Sequence, residues 1–241
     1  MSNWQKRTEL LIGNKSTERL SNSHVLIAGL GGVGGYAAEF ICRSGVGKIT
    51  IADSDIISAS NINRQIYALH STIGEKKTEI AKKRLLDINP NVEIRIFEKY
   101  INEETIEGLL DAEYDYIIDA IDTLTPKVLF LYNATKKGFK IISSMGAGRK
   151  LNPTLVEVAN DFTETHGCHL AFYVRKYLRR LGLQKGFKAV YSAEKPLEDS
   201  MFADRSTDNK SSTVGAISYI PAIFGLYCAS TAIRDLIKQE G

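Results

Sequence analysis

The sequence predicts an α/β fold: a mostly parallel sheet covered by helices on both faces, with a C-terminal extension of strands and a basic helix. Two observations carry this reading. Short apolar runs alternate with segments of helical period from Ser23 to about Met145, as parallel strands joined by crossover helices require. The first apolar run, HVLIAG, ends in glycines that open straight into a helix, a strand, tight turn and helix in succession.

The elements follow in order. HVLIAG is a buried strand, and Val33–Arg43 is the helix after it. KITIAD is the second strand. Lys76–Asp87 has apolar residues at helical spacing and stops at Asn89–Pro90, since proline cannot continue a helix. VEIRIFE alternates and forms strand three; a helix over Glu103–Leu110 leads to YDYIIDAID, strand four. Pro126–Lys137 is a helix closed by Gly138, and FKIISSM is strand five. Beyond Gly146 the alternation stops. Thr154–Ala159 and Lys188–Ser192 read as strands, Leu170–Leu181 as a basic amphipathic helix, and polar Pro196–Ser212 as a mobile loop. A last helix is expected over about Val214–Lys238. The chain thus divides into residues 1–150, a nucleotide-binding domain, and 151–241, a C-terminal region integrated with it.

Composition excludes several classes. Of 241 residues, 44% are apolar and 24% charged, as in ordinary globular proteins, and the net charge of +3 implies no partner. Cys42, Cys168 and Cys228 include no CxxC pair, which argues against a disulfide framework and fits a reducing compartment, the cytoplasm. The first twenty residues contain no signal-peptide core. Ser211–Ile233 is uncharged and long enough to span a bilayer, but its Pro221, Gly215, Gly225 and hydroxyl residues read as a buried core helix, with no membrane partner.

In GLGGVG, Gly29, Gly31, Gly32 and Gly34 permit a tight turn whose backbone N–H groups approach a phosphate at a positive helix end. Asp53, ending strand two, stands where a carboxylate accepts ribose hydroxyls. Together these indicate an adenine nucleotide without choosing between NAD and ATP. The next segment selects ATP. Asn61-Ile62-Asn63-Arg64-Gln65 follows strand two, and Lys77 begins the next helix. Hydride transfer needs no cations here, whereas displacement of pyrophosphate needs Arg64 and Lys77 to neutralise growing phosphate charge, with Asn61 and Gln65 as polar positioners. Asp122, at the carboxyl end of strand four, is placed to hold Mg²⁺ between triphosphate oxygens.

GLGGVG, Asp53, SxSNINRQ at Ser58–Gln65, GEKK at Gly74–Lys77, INP at Ile88–Pro90 and DAID at Asp119–Asp122 together resemble the ThiF/MoeB superfamily of adenylating enzymes, whose sheet is Rossmann-like and which includes the ubiquitin-activating enzymes. The resemblance covers about Arg7 to Ala147. It implies ATP contacts from Asp53, Asn61, Arg64, Gln65 and Lys77, and Mg²⁺ on Asp122. It also implies a homodimer in which Arg7 crosses to the partner's ATP.

Within that superfamily, members that activate small sulfur-carrier proteins commonly hold zinc through two CxxC pairs; this sequence has none, so no structural zinc is expected. Cys168 is the one candidate nucleophile by position. RTELLIGNKSTERLSNSHVLIAGLGGVGGYAAE, DAIDTLTPK, MGAGRKLNPT and SAEKP at Ser192–Pro196 are similar to tRNA threonylcarbamoyladenosine dehydratases. These adenylate the carboxylate of threonylcarbamoyladenosine 37 and close it into a ring, with no enzyme nucleophile required. Sulfur-transfer or redox proteins are possible partners. A separate observation points to RNA: Thr165–Ala193 contains no acidic side chain but includes Arg175, Lys176, Arg179, Arg180, Lys185 and Lys188. Spacing by four puts 175/176 and 179/180 along one helix side, interleaved with Tyr173 and Tyr177. The competing readings are an activating enzyme for a carrier protein ending in Gly-Gly and a non-catalytic, dehydrogenase-like nucleotide module.

Overall fold

A computed structural model describes residues 3–198, 200–207 and 210–238. The chain opens with two helices, α1 (Lys6–Ile12) and α2 (Asn14–Asn22), which lead into strand β1 (His24–Ala28). Then follow α3 (Gly34–Arg43), β2 (Lys48–Ala52), α4 (Lys77–Ile88), β3 (Glu93–Phe97), α5 (Ile106–Leu109), β4 (Tyr116–Asp119), α6 (Leu124–Lys136) and β5 (Ile141–Ser144). The remainder comprises β6 (Val156–Ala159), α7 (His169–Arg180), β7 (Lys188–Ser192), β8 (Met201–Thr207), β9 (Lys210–Val214) and α8 (Tyr219–Ile237).

Seven strands form one sheet in the order β3-β2-β1-β4-β5-β7-β6. All neighbours are parallel except β6, which runs antiparallel to β7. The predicted mostly parallel α/β fold is therefore present, and the strands of the C-terminal region extend the same sheet. Because β1 has β2 on one side and β4 on the other, the chain reverses direction across the sheet there. That leaves a crevice at the carboxyl ends of β1 and β4, where ligands bind in such sheets.

Strand periodicity explains the burial. Val25 and Ile27 face one core, with Ala37, Ile41, Phe224 and Cys228; Leu26 and Ala28 face the other, with Phe130, Leu131, Val174 and Leu178. Each fully buried large side chain contributes roughly 1.5–3 kcal/mol. The edge strand β3 reaches solvent, which is why its sequence alternates most cleanly.

The uncharged C-terminal stretch resolves as α8, the one helix among the described residues that is long and apolar enough to cross a membrane. It lies against α3 and the sheet. A Cβ on Gly225 would sit 2.5 Å from the Val33 carbonyl oxygen and 3.0 Å from Tyr36 Cβ, so glycine is what permits this close helix contact. Ile220, Phe224, Cys228, Ala229 and Ala232 are buried, and the segment belongs to the core.

Several boundaries differ from the sequence reading. The polar segment Pro196–Ser212, expected as a loop, carries most of the hairpin β8–β9; its Asp199, Asp208 and Asn209 lie outside the described residues. Polar composition misled here because an antiparallel pair off the main sheet need not bury either face. Val214 accordingly ends a strand, and the last helix starts at Tyr219. The predicted helix 103–110 contracts to the single turn of α5, whereas α1 and α2, with few buried residues, gave no apolar period to detect.

Candidate active site

The glycine-rich turn fills the crevice between β1 and β4. Gly29 has φ 91°, in the left-handed region that favours glycine, and a Cβ there would stand 2.7 Å from the Ala120 carbonyl oxygen. A Cβ on Gly34 would collide with the Gly29 carbonyl. On the other flank, a Cβ on Gly32 would reach the Arg64 carbonyl oxygen at 3.3 Å and its Cγ at 3.4 Å, and one on Gly31 would lie 3.9 Å from Gln65 Nε2. The turn is thus wedged between Ala120, two residues before Asp122, and Arg64–Gln65. The guanidinium after β2 and the aspartate after β4 flank the same turn.

Each side chain is positioned by its neighbours. The Asn61 side-chain oxygen accepts from Ser58 N at 3.1 Å and caps the short helical turn 59–61. Arg64 donates to the Ser60 carbonyl at 2.9 Å and to Asn63 Oδ1 at 2.8 Å; both are neutral acceptors. Gln65 is buried, and its backbone N–H donates to Asn61 O. Asp122 is exposed at the crevice mouth.

Asp53 has a duty that the sequence did not reveal. Its Oδ2 accepts from Leu30 N, inside the glycine turn, at 2.7 Å, and its Oδ1 accepts from Asp55 N at 2.8 Å. Burial raises its pKa, opposed by Lys77 and these two hydrogen bonds. A carboxylate still has acceptor sites left for ribose hydroxyls. Lys77 is buried, with Nζ 2.7 Å from Asp55 Oδ2 and 3.8 Å from Asp53 Oδ1; it stands beside the two aspartates.

Sequence reasoning missed three other features. Asp119 and Lys127 are both inaccessible, with Nζ 2.5 Å from Oδ2. Asp119 also accepts from Ser143 Oγ at 2.6 Å and Ile121 N at 3.1 Å, while Lys127 donates to Ile121 O at 3.0 Å. This pair fastens the strand end that carries Asp122; the DAID spacing hinted at it, because the first aspartate falls inside the strand. Second, Arg149, at φ 63°, donates to the Leu197 carbonyl at 2.6 and 2.8 Å. Third, the segment leading into α8 covers the site: Asn63 Nδ2 donates to Ala216 O at 3.1 Å, and a Cβ on Gly32 would touch Pro221.

Cys168 caps α7, its Sγ accepting from Gly146 N at 3.3 Å and Ala171 N at 3.5 Å. The buried Lys150 donates to Gly167 O at 2.9 Å and to Glu194 O, and burial lowers its pKa. On α7, Lys176, Arg179 and Arg180 are exposed, as is Lys185 just beyond it. Arg175 is half-buried and donates to Thr165 Oγ1 at 2.5 Å. Lys188 does not join this ridge. It begins β7 at the opposite, amino edge of the sheet, 2.5 Å from Asp235, because a parallel strand starts at the edge remote from the crevice. Arg7 is exposed on α1, near Leu10 and Leu11, which are 76% and 85% exposed.

Comparison with known proteins agrees with this arrangement. A family model described as the ThiF family matches residues 5–241. The chain belongs to the ThiF family. A Bacillus subtilis tRNA threonylcarbamoyladenosine dehydratase is 37% identical over 97% of this ThiF-family chain and 94% of its own length. The Escherichia coli enzyme of that name is 30% identical over 98% of the chain and 95% of its own length. A crystal structure of E. coli tRNA N6-threonylcarbamoyladenosine dehydratase in complex with ATP superposes with a TM-score of 0.89 at 28% identity, covering 98% of this chain and 96% of that one.

Proposed function

We propose that this chain is an ATP-dependent tRNA threonylcarbamoyladenosine dehydratase. The observation that carries the proposal is the wedging of one glycine turn between Arg64 and the Asp122 strand end, in a chain alike over nearly its full length to enzymes of that name. A carboxylate oxygen of the threonylcarbamoyl group attacks the α-phosphorus of ATP, and pyrophosphate leaves. A nucleophilic atom of the same modification then attacks the acyl carbon, loses its proton and expels AMP, closing the ring. This is ligase-type chemistry without an enzyme nucleophile.

In this reading the backbone N–H groups of Gly31, Gly32 and Gly34 cradle phosphate, and Asp53 receives the ribose. Arg64 neutralises the departing pyrophosphate, while Asn61 and Gln65 position it. Lys77 exchanges Asp55 for phosphate oxygens as the nucleotide enters. Among the described residues no group of three or more His, Cys, Asp or Glu gathers around one point. Magnesium therefore fits as an ion shared by Asp122, water and phosphate oxygens, the habit of this metal with nucleotides; bound there it screens charge on the triphosphate. Arg7 and the exposed apolar α1 face fit a homodimer in which Arg7 reaches the partner's nucleotide. Lys176, Arg179, Arg180 and Lys185 present cations to the tRNA backbone, with Arg175 behind them. The cytoplasm, where tRNA resides, is the expected location.

The test is formation of AMP and pyrophosphate from ATP with three candidate co-substrates: tRNA carrying threonylcarbamoyladenosine, the same tRNA unmodified, and a carrier protein ending in Gly-Gly. Turnover with the first alone, and a cyclic nucleoside by mass spectrometry, is expected. Turnover with the carrier protein instead would overturn the proposal.

A further inference from the structure

A helix that buries one face normally shows charged residues on the other. α7 buries Ala171, Val174 and Leu178, yet its outer face also displays three aromatic rings. Phe172 is 53% exposed, Tyr173 41% and Tyr177 38%. The Tyr173 and Tyr177 rings lie 6.4 Å apart, only 26° from parallel, and Phe172 meets Tyr173 edge-on at 5.2 Å. The Lys176 ammonium stands 5.9 Å from the Tyr173 ring centroid and the Arg180 guanidinium 5.5 Å from that of Tyr177. No acidic side chain occurs between Thr165 and Ala193, so this stretch offers no carboxylate to draw these cations off the rings.

The position of the face matters as much as its chemistry. Cys168, which caps α7, accepts the Gly146 N–H, just past the carboxyl end of β5. The helix therefore starts at the edge of the sheet that holds the nucleotide crevice and runs away from it. At ~1.5 Å per residue, Tyr173 and Tyr177 stand roughly 6 and 12 Å from its start along the axis. A nucleoside with its reacting group in the crevice must lead its flanking nucleotides over adjacent surface. Parallel rings with cations over them suit unpaired bases with phosphates between them; a duplex hides its base faces and would use the cations alone.

We propose that Tyr173 and Tyr177, edged by Phe172, form a stacking platform for unpaired nucleotides flanking the modified adenosine, with Lys176 and Arg180 on their phosphates. This rests on the tRNA substrate proposed above. It assigns the rings a base-binding role distinct from charge neutralisation by the ridge.

The two roles separate by salt dependence. Binding of a stem–loop RNA bearing threonylcarbamoyladenosine in its loop is measured by anisotropy over a range of salt. The Tyr173→Ala/Tyr177→Ala variant is expected to bind about tenfold or more weakly, at every salt concentration, with an unchanged slope. Tyr173→Phe/Tyr177→Phe should stay within about twofold, because stacking needs the ring and not the hydroxyl. Lys176→Gln/Arg180→Gln should instead flatten the slope by about one. Retained ATP binding shows that each variant is folded. Alanine variants that bind like wild type, or phenylalanine variants as weak as alanine, would overturn the platform. So would a change in oligomeric state on removing the rings, which would make this face a protein interface. Turnover of the same RNA by wild type reads the proposed reaction separately: turnover with ring-independent binding sinks only the platform, and ring-dependent binding without ATP consumption sinks only the reaction.

Discussion

The two edges of the sheet handle charge in opposite ways. At the amino edge, Lys188 is held by the carboxylate of Asp235, which also accepts from Tyr116 Oη at 2.8 Å and faces Lys238 at 3.7 Å. At the carboxyl edge, Arg64 is held by neutral oxygens of Ser60 and Asn63. A cation neutralised by a carboxylate of its own chain has little charge left to offer a ligand, whereas one positioned by neutral acceptors keeps its full charge. The amino edge therefore serves stability and the carboxyl edge chemistry.

The strongest test of this contrast removes the charges at the crevice. Arg64→Ala and Asp122→Ala should each lower AMP formation by ~10²–10³-fold or more and leave the thermal midpoint near that of wild type. Activity within tenfold of wild type in both variants would show that the crevice is not where transfer occurs. Next in size is Lys127→Met, which strands the fully buried Asp119. Denaturant unfolding should show a loss of about 3–5 kcal/mol, and a change well under 1 kcal/mol would remove the pair from the account of how Asp122 is held. Reversing Arg179 and Arg180 to Glu should weaken tRNA binding by about tenfold or more at moderate salt, with ATP binding unaltered.

The smallest effect belongs to the amino edge. Burial pushes the Asp235 pKa up, but hydrogen bonds from Lys188 and Tyr116 outweigh it, so the net shift is downward. A lowered folded value means that the stabilisation is present above the ordinary carboxylate range and is lost as pH falls through the folded value. Asp235→Asn should cost under ~1 kcal/mol near neutrality, with the deficit shrinking on acidification. Pyrophosphate release should not change; a large loss of turnover would erase the distinction between the edges.

The sequence read some of these features well and others not at all. The glycine turn and the strands around it were legible because backbone geometry there permits few residues, as the Cβ clashes at Gly29 and Gly34 make plain. The hairpin β8–β9 was not, since polar composition is common to loops and to exposed strand pairs. Lys188 was grouped with the ridge because sequence spacing does not reveal which end of a parallel strand meets the crevice. Asp53 was legible as a carboxylate at the site, yet its bond to Leu30 N joins residues brought together only by the pairing of β1 with β2.

By itself the amino-acid sequence determined the α/β alternation, the glycine turn and the identities of Arg64, Asp122 and the basic helix, because each depends on local periodicity or on a residue type that few backbone geometries accept. Tertiary structure alone decided which of these meet. The order β2-β1-β4 sets the turn between Arg64 and the Asp122 strand end, and the cap at Cys168 starts α7 at that same edge. Such juxtapositions come from strand order and helix packing, which act between residues far apart in the chain and leave no mark on the sequence around any one of them.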